Sequence, residues 1–199
     1  MAIPCDVPTN TTFLLLANAG LTGSFSFQTL LERVPSLFCN STFCLTVGLV
    51  DMSGNSISGV ESLPSPSAFW ADFQLNAYLD LSGNNIAMLQ KQAFEYAVIV
   101  GPVNLTGNQI SSVGWKCFAN AHIQGGLDLS GNSITDVATV AFMGATVNSL
   151  PFNSVRFKTQ MSVVISTSPR ATAYSYVATK SQLWWEVLSS VRQSEAAST

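Results

Sequence analysis

The sequence predicts an α/β fold in which short parallel strands, one per repeat, lie side by side in a curved sheet. One eight-residue phrase occurs four times, as VDMSGNSI at 50–57, LDLSGNNI at 79–86, VNLTGNQI at 103–110 and LDLSGNSI at 127–134. The last three copies are 24 residues apart, a period typical of stacked repeats. Apolar and polar residues alternate at the start of each copy, which is the pattern of a strand with one buried face.

The residues outside the repeated phrase also recur in a pattern that fits a stack of parallel strands. Parallel strands need a long crossover connection, and the residues between copies supply it. One copy alone cannot bury its apolar side, so neighbouring copies must stack. We expect Asn84, Asn108 and Asn132 to face inward, where a buried amide needs hydrogen-bond partners. Apolar residues follow the asparagines after five places, at Val60, Leu89, Val113 and Val137. Phenylalanines follow after ten places, at Phe94, Phe118 and Phe142, and should stack as a row on the far side.

These spacings fit L-x-x-L-x-L-x-x-N-x-L, and the chain resembles the leucine-rich-repeat family, in particular its extracellular class with 24-residue repeats. The resemblance implies a solenoid with a concave parallel sheet, a convex side of irregular, 3-10 or helical segments, and asparagines that bond the backbone of adjacent turns. Segments 14–21 and 150–157 fit as degenerate end repeats, with Ala19 and Val155 in the asparagine position. We therefore predict a leucine-rich-repeat domain over 1–157 and a non-repeat tail over 158–199.

Two insertions interrupt the period. The second copy follows the first by 29 residues, and the excess falls in a Pro/Ser-rich loop predicted at 62–70. Phe69 or Trp70 would take the place of the missing phenylalanine. A longer insertion precedes the first copy and carries Cys39 and Cys44.

The tail reads as two short strands, 161–167 and 172–178, followed by a helix at about 182–193. A cap on the last repeat is one interpretation, because the open end of a repeat stack needs a closing unit. An amphipathic helix for a partner or a membrane surface is the second, and a disordered end is the third.

Cysteines and sequons bear on the compartment. Of the four cysteines, Cys39 and Cys44 form the most plausible local disulfide, whereas Cys117 should be a buried thiol beside Phe118. The sequons at Asn10 and Asn40 are candidate glycosylation sites. A third sequon, at Asn104, is less credible because a glycan there would cover the expected binding face.

Sequons and sparse charge favour an extracellular or cell-surface protein; charged residues make up 10% of the chain, against about 25% in an ordinary protein. The chain has no secretory signal and no apolar stretch long enough to span a membrane. This favours the alternative, a cytoplasmic scaffold or regulatory adaptor.

The sequence carries no motif of a catalytic, cofactor or metal site, and the single histidine, His122, has no zinc-binding partners. The net charge of −3 and the lack of a basic cluster exclude a nucleic-acid partner. The resemblance instead implies a non-catalytic module that binds a protein ligand, or a glycan, through its concave face. Tyr78 is expected to be the only aromatic residue there and to anchor the ligand. The predicted partner-binding residues are Asp51, Ser53, Tyr78, Asp80, Ser82, Asn104, Thr106, Asp128 and Ser130.

Overall fold

The structure is a computed structural model that describes residues 12–39 and 47–147, together with the backbone of 162–165 and 174–177. The fold is α/β, with mostly parallel strands and few helices. The described helices are α1 (Phe27–Arg33), α2 (Pro66–Asp72) and a 3-10 helix (Pro35–Leu37). The described strands are β1 (Phe13–Leu15), β2 (Thr22–Phe25), β3 (Phe38–Cys39), β4 (Gly48–Asp51), β5 (Ser56–Val60), β6 (Gln74–Leu75), β7 (Ala77–Asp80), β8 (Met88–Leu89), β9 (Val98–Ile99), β10 (Val103–Asn104), β11 (Ser112–Val113), β12 (His122–Ile123), β13 (Leu127–Asp128), β14 (Asp136–Val137), β15 (Thr146–Val147), β16 (Ser162–Ile165) and β17 (Tyr174–Val177).

On each circuit the chain forms three strands and then returns to the first sheet, one strand further along. In the first two circuits the middle strands, β2 and β5, form a parallel pair separate from the second sheet. The first sheet has the order β1-β4-β7-β10-β13, the second β8-β11-β14 and the third β3-β6-β9-β12-β15. All strand pairs of the first sheet are parallel, and Val103 pairs with Leu79 on one side and Leu127 on the other. The predicted side-by-side arrangement of the repeated phrases is therefore confirmed, and the topology is compatible with a solenoid.

The repeated asparagines form a ladder of hydrogen bonds between circuits. Each of the four is buried, and its Oδ1 accepts the backbone N–H of a residue in the preceding circuit, namely Leu21, Ile57, Ile86 and Ile110. Each Nδ2 also donates to a carbonyl of the preceding circuit and to two carbonyls of its own. The prediction that these amides point inward to backbone partners is confirmed.

The glycine before each asparagine has a backbone reason to recur. At Gly107 the φ angle is +63°, a left-handed conformation that costs an L-residue with a Cβ about 1–2 kcal/mol. A Cβ on Gly107 would lie 3.8 Å from the backbone nitrogen of Gly83, an ordinary van der Waals distance, so the φ angle and not the available space favours glycine here.

The predicted row of phenylalanines is present in the core. Phe94, Phe118 and Phe142 are buried, and consecutive ring centroids are 4.9 Å apart with nearly parallel planes. Phe27 of α1 extends the row, with its ring centroid 5.5 Å from that of Phe94. The ring that contacts Phe94 at this end of the row is therefore Phe27 and not the predicted Phe69 or Trp70. Trp70 is buried, with its ring centroid 5.0 Å from that of Phe27.

Each of the two circuits that carry insertions contains a helix within the described residues. The prediction of a loop at 62–70 was wrong for its second half, because helix α2 begins at Pro66. Proline suits the first turn of a helix. In the circuit with the longer insertion, α1 begins after Ser26, whose hydroxyl oxygen accepts the backbone N–H of Thr29.

In the tail, β16 and β17 confirm the two predicted strands, and they pair antiparallel. The predicted helix at 182–193 lies outside the described residues. So do Asn10, Asn40, Cys44 and the side chain of Cys39, on which the predicted glycans and disulfide depend. Cys117 is buried as predicted, and its burial raises the pKa of the thiol far above the ordinary value.

Candidate binding surface

The predicted partner-binding residues share one surface, which we call the outer sheet face: the outward side chains of β1, β4, β7, β10 and β13 with the residues that follow these strands. Strand register places Asp51 beside Asp80, then Asn104, then Asp128 in one column. All nine predicted residues are half-buried. Ser53, Ser82, Thr106 and Ser130 form the adjoining column, two residues further along each circuit.

The side chains of the first column (Asp51, Asp80, Asn104 and Asp128) also stabilise the turns that follow their strands. Oδ1 of Asp80 accepts the backbone N–H of Ser82 at 2.9 Å, and Oδ1 of Asp128 accepts that of Ser130 at 2.8 Å. Equivalent bonds form in the other two circuits. The side chain thereby closes the turn after each strand. Asn104 makes the same bond as the aspartates do, so an Asp→Asn change in this column retains the turn and removes only the charge.

Tyr78 is the centre of a hydrogen-bonded cluster on the outer sheet face. Its hydroxyl donates to Oδ2 of Asp80 at 3.0 Å, and Nδ2 of Asn104 donates to the same hydroxyl oxygen and to Oδ2 of Asp80, both at 3.2 Å. The nitrogen that would carry a glycan on Asn104 is thus engaged within the protein. The cluster holds the Tyr78 ring against the sheet.

Burial raises the pKa of Tyr78 above its ordinary value of 10.0, and its hydrogen bond to Asp80 adds to the rise, whereas the bond from Asn104 lowers it. In the unfolded chain the phenol loses its proton near the ordinary value, while the folded protein still holds it. Between these two pKa values the stability of wild-type protein should therefore fall as pH rises.

This effect can be isolated with Tyr78→Phe. We expect the difference in unfolding free energy between wild type and Tyr78→Phe to be constant below pH 9 and to shift against the wild type above pH 10. Urea unfolding at a series of pH values measures it, with Tyr96→Phe as a control for the loss of one exposed phenol. A difference that is the same at every pH would contradict the assigned environment.

A shallow depression of about 250 Å³ lies beside this cluster. It is lined by Tyr78, Pro102, Val103, Asn104, Gly125, Gly126, Leu127 and Asp128. The space arises because side chains become smaller along one column, from Tyr78 through Pro102 to Gly126. Gly125 is required there, since a Cβ would lie 2.1 Å from the backbone nitrogen of Pro102.

The first strand gives the outer sheet face an apolar end. Phe13 pairs in register with Leu49 and is 62% exposed, and Leu15 pairs with Asp51 and is 64% exposed. The expectation that Tyr78 is the only aromatic residue on this face was therefore wrong. The position of Phe13 could have been predicted from the sequence, because Phe13 directly precedes Leu14, the first residue of the degenerate first repeat.

Charge on the outer sheet face is negative. Its described strands contain Asp51, Asp80 and Asp128 and neither lysine nor arginine. The basic residues of 12–39 and 47–147 are Arg33, in α1, and Lys91 and Lys116, in the turns of later circuits. Lys116 pairs with the buried carboxylate of Glu95 at 3.5 Å.

Within the described ranges, no group of three or more histidine, cysteine or acidic side chains is placed to hold a metal ion. In the same part of the chain, neither helix has the length and apolar character needed to cross a bilayer. His122 lies on the third sheet and contacts the Thr146 hydroxyl, away from the outer sheet face.

Comparisons with protein families, with curated proteins and with solved structures returned no match to this chain.

Proposed function

We propose that this chain is a leucine-rich-repeat solenoid and serves as a non-catalytic recognition module. In this proposal the outer sheet face is the concave side of the solenoid and binds a protein ligand, with a glycan as the second possibility. The observation that carries the proposal is one outward surface, built on stacked circuits, that combines a fixed aromatic ring, a depression and carboxylates with no lysine or arginine on the described strands of the same sheet. Rigid repeat stacks are suited to such extended surfaces.

The stacked circuits support the proposal because they order the outward side chains before a partner binds. Binding then costs less conformational entropy. Each strand of the outer sheet face is held by neighbouring strands on one or both sides, and the asparagine ladder ties successive circuits together. Tyr78 is further restrained by two polar neighbours. A side chain that is already ordered loses less conformational freedom when a partner binds.

Binding through the outer sheet face can be tested on a panel of purified secreted and cell-surface proteins. For any partner found, the variant Tyr78→Ala/Asp80→Asn should lower affinity at least about tenfold, because it removes the anchor ring and a charge but retains the Ser82 turn. A matched control is Met88→Ala/Asp136→Asn, which changes exposed residues of the second sheet. If the partner binds the first variant as tightly as wild type, the assigned surface is wrong.

The compartment is a separate part of the proposal. We propose an extracellular or cell-surface location, with a cytoplasmic scaffold or adaptor as the alternative. Protein from its native source should then carry a Cys39–Cys44 disulfide or glycan mass on Asn10 or Asn40. Intact-mass analysis with and without reductant and glycosidase measures both. Free thiols together with an unmodified mass would contradict the exterior location and favour the cytoplasmic one.

A further inference from the structure

We propose that the depression beside Tyr78 binds one cationic side chain, an arginine or a lysine, from a basic segment of a protein partner. This inference rests on the proposed function, because it names the chemistry of a partner on the outer sheet face. It depends on three features of the site: its size, its charge and the state of its hydrogen-bonding groups.

The size favours a single side chain. The depression measures about 250 Å³, below the range of about 300–1,000 Å³ typical of pockets for whole small ligands. It is open on the outer sheet face, where Gly125 and Gly126 contribute no side chains. A partner can therefore insert one extended side chain while its backbone remains above the sheet.

The charge favours a cation. Asp128 lines the depression, and Asp80 lies one strand beyond Asn104 in the same column. Oδ1 of Asp128 closes the Ser130 turn, and no described residue donates to Oδ2. The described strands of this sheet supply no cation to neutralise the carboxylates. By contrast, the buried Glu95 carboxylate has its own lysine. An anionic ligand would meet repulsion from every formal charge on these strands.

The hydrogen-bonding groups distinguish a cation from a sugar. A neutral glycan needs several available donors and acceptors, yet the Tyr78 hydroxyl and both polar atoms of the Asn104 amide are already bonded within the protein. What Tyr78 still offers is the face of its ring. A guanidinium group can stack on an aromatic ring and donate hydrogen bonds to a carboxylate at the same time, so an arginine side chain would use both the Tyr78 ring and the Asp128 carboxylate.

The test is an NMR titration of the ¹⁵N-labelled 199-residue chain with N-acetyl-arginine methylamide. The citrulline analogue has nearly the same shape without the charge. We expect the arginine compound to shift the backbone amides of Gly125, Gly126 and Leu127 and the side-chain amide of Asn104. The citrulline compound should bind at least about fivefold more weakly, since charge-assisted hydrogen bonds are the stronger ones.

Asp128→Asn is the decisive variant, because asparagine retains the turn in this column and removes the charge. It should weaken arginine binding at least about fivefold, whereas Asp136→Asn, which removes an exposed carboxylate on the second sheet, should leave it unchanged. Equal binding of arginine and citrulline, equal effects of the two variants, or preferential shifts with maltose would each overturn the proposal. If arginine fails to bind but Tyr78→Ala/Asp80→Asn still abolishes partner binding, the subsite is wrong and the proposed function stands.

Discussion

Replacing Asn108 by alanine should lower the free energy of unfolding by about 3 kcal/mol. The amide is buried, and its Oδ1 accepts the N–H of Ile86 while Nδ2 donates to the carbonyls of Leu81, Leu105 and Thr106. Alanine cannot make these bonds, and each buried backbone group left without a partner costs about 1–3 kcal/mol. Three of these bonds are 3.1 Å or shorter, and partial access of water keeps the sum below the maximum.

Asn85→Ala is the matched control, since it makes the same chemical change one residue after the preceding ladder asparagine. Asn85 is exposed, and its side chain accepts one long hydrogen bond, from Gln109 at 3.3 Å. The control should change stability by less than about 0.5 kcal/mol. Chemical denaturation of both variants measures the difference, and a similar small loss in both would mean that the ladder contributes little to the cohesion of the circuits.

Replacing Phe118 by alanine should be more severe, with a loss of about 3–5 kcal/mol. Its ring is fully buried and stacks between Phe94 and Phe142 at 4.9 Å on each side. The change opens a cavity in the middle of the row and removes two aromatic contacts at once. Since every circuit depends on its neighbours, we also expect a broadened unfolding transition, in which one side of the stack unfolds before the other.

Trp115→Ala serves as the control for Phe118→Ala, because it removes a larger aromatic ring from the surface of the same circuit. Trp115 is half exposed and contacts the ammonium group of Lys116, an interaction worth about 0.5–1 kcal/mol at an exposed site. Thermal and urea unfolding should therefore separate the two variants by at least about 2 kcal/mol. Equal losses would show that the phenylalanine row is not the centre of the core.

The features that sequence predicted correctly are those with a period. The neighbouring strands, the inward asparagines and the stacked phenylalanines each recur at a constant spacing, so one copy explains the others. Helices α1 and α2 lie in the two circuits that carry insertions. No other circuit of the same length shows how such a circuit folds. Phe27 was missed for this reason, although its ring extends the row beyond Phe94.

The candidate site was predictable as a set of columns but not as a shape. Strand register alone brings Tyr78, Asp80 and Asn104 together, and register follows from the repeated phrase. The depression exists because Gly125 and Gly126 have no side chains to fill it. From sequence alone, a pair of glycines before a strand predicts only a turn. The ion pair between Lys116 and the buried Glu95 was also not predictable, because nothing in the local pattern marks that glutamate as internal.

The side-by-side order of the repeated phrases is tested most directly by nuclear Overhauser contacts between strands in the 199-residue chain. Adjacent strands lie about 4.8 Å apart and alternate strands about 10 Å apart. We predict contacts between the backbones of Leu79 and Val103 and between those of Val103 and Leu127, with none between Leu79 and Leu127. Contacts that link Leu79 directly to Leu127, or the absence of both predicted pairs, would contradict the stacked arrangement on which the proposed function depends.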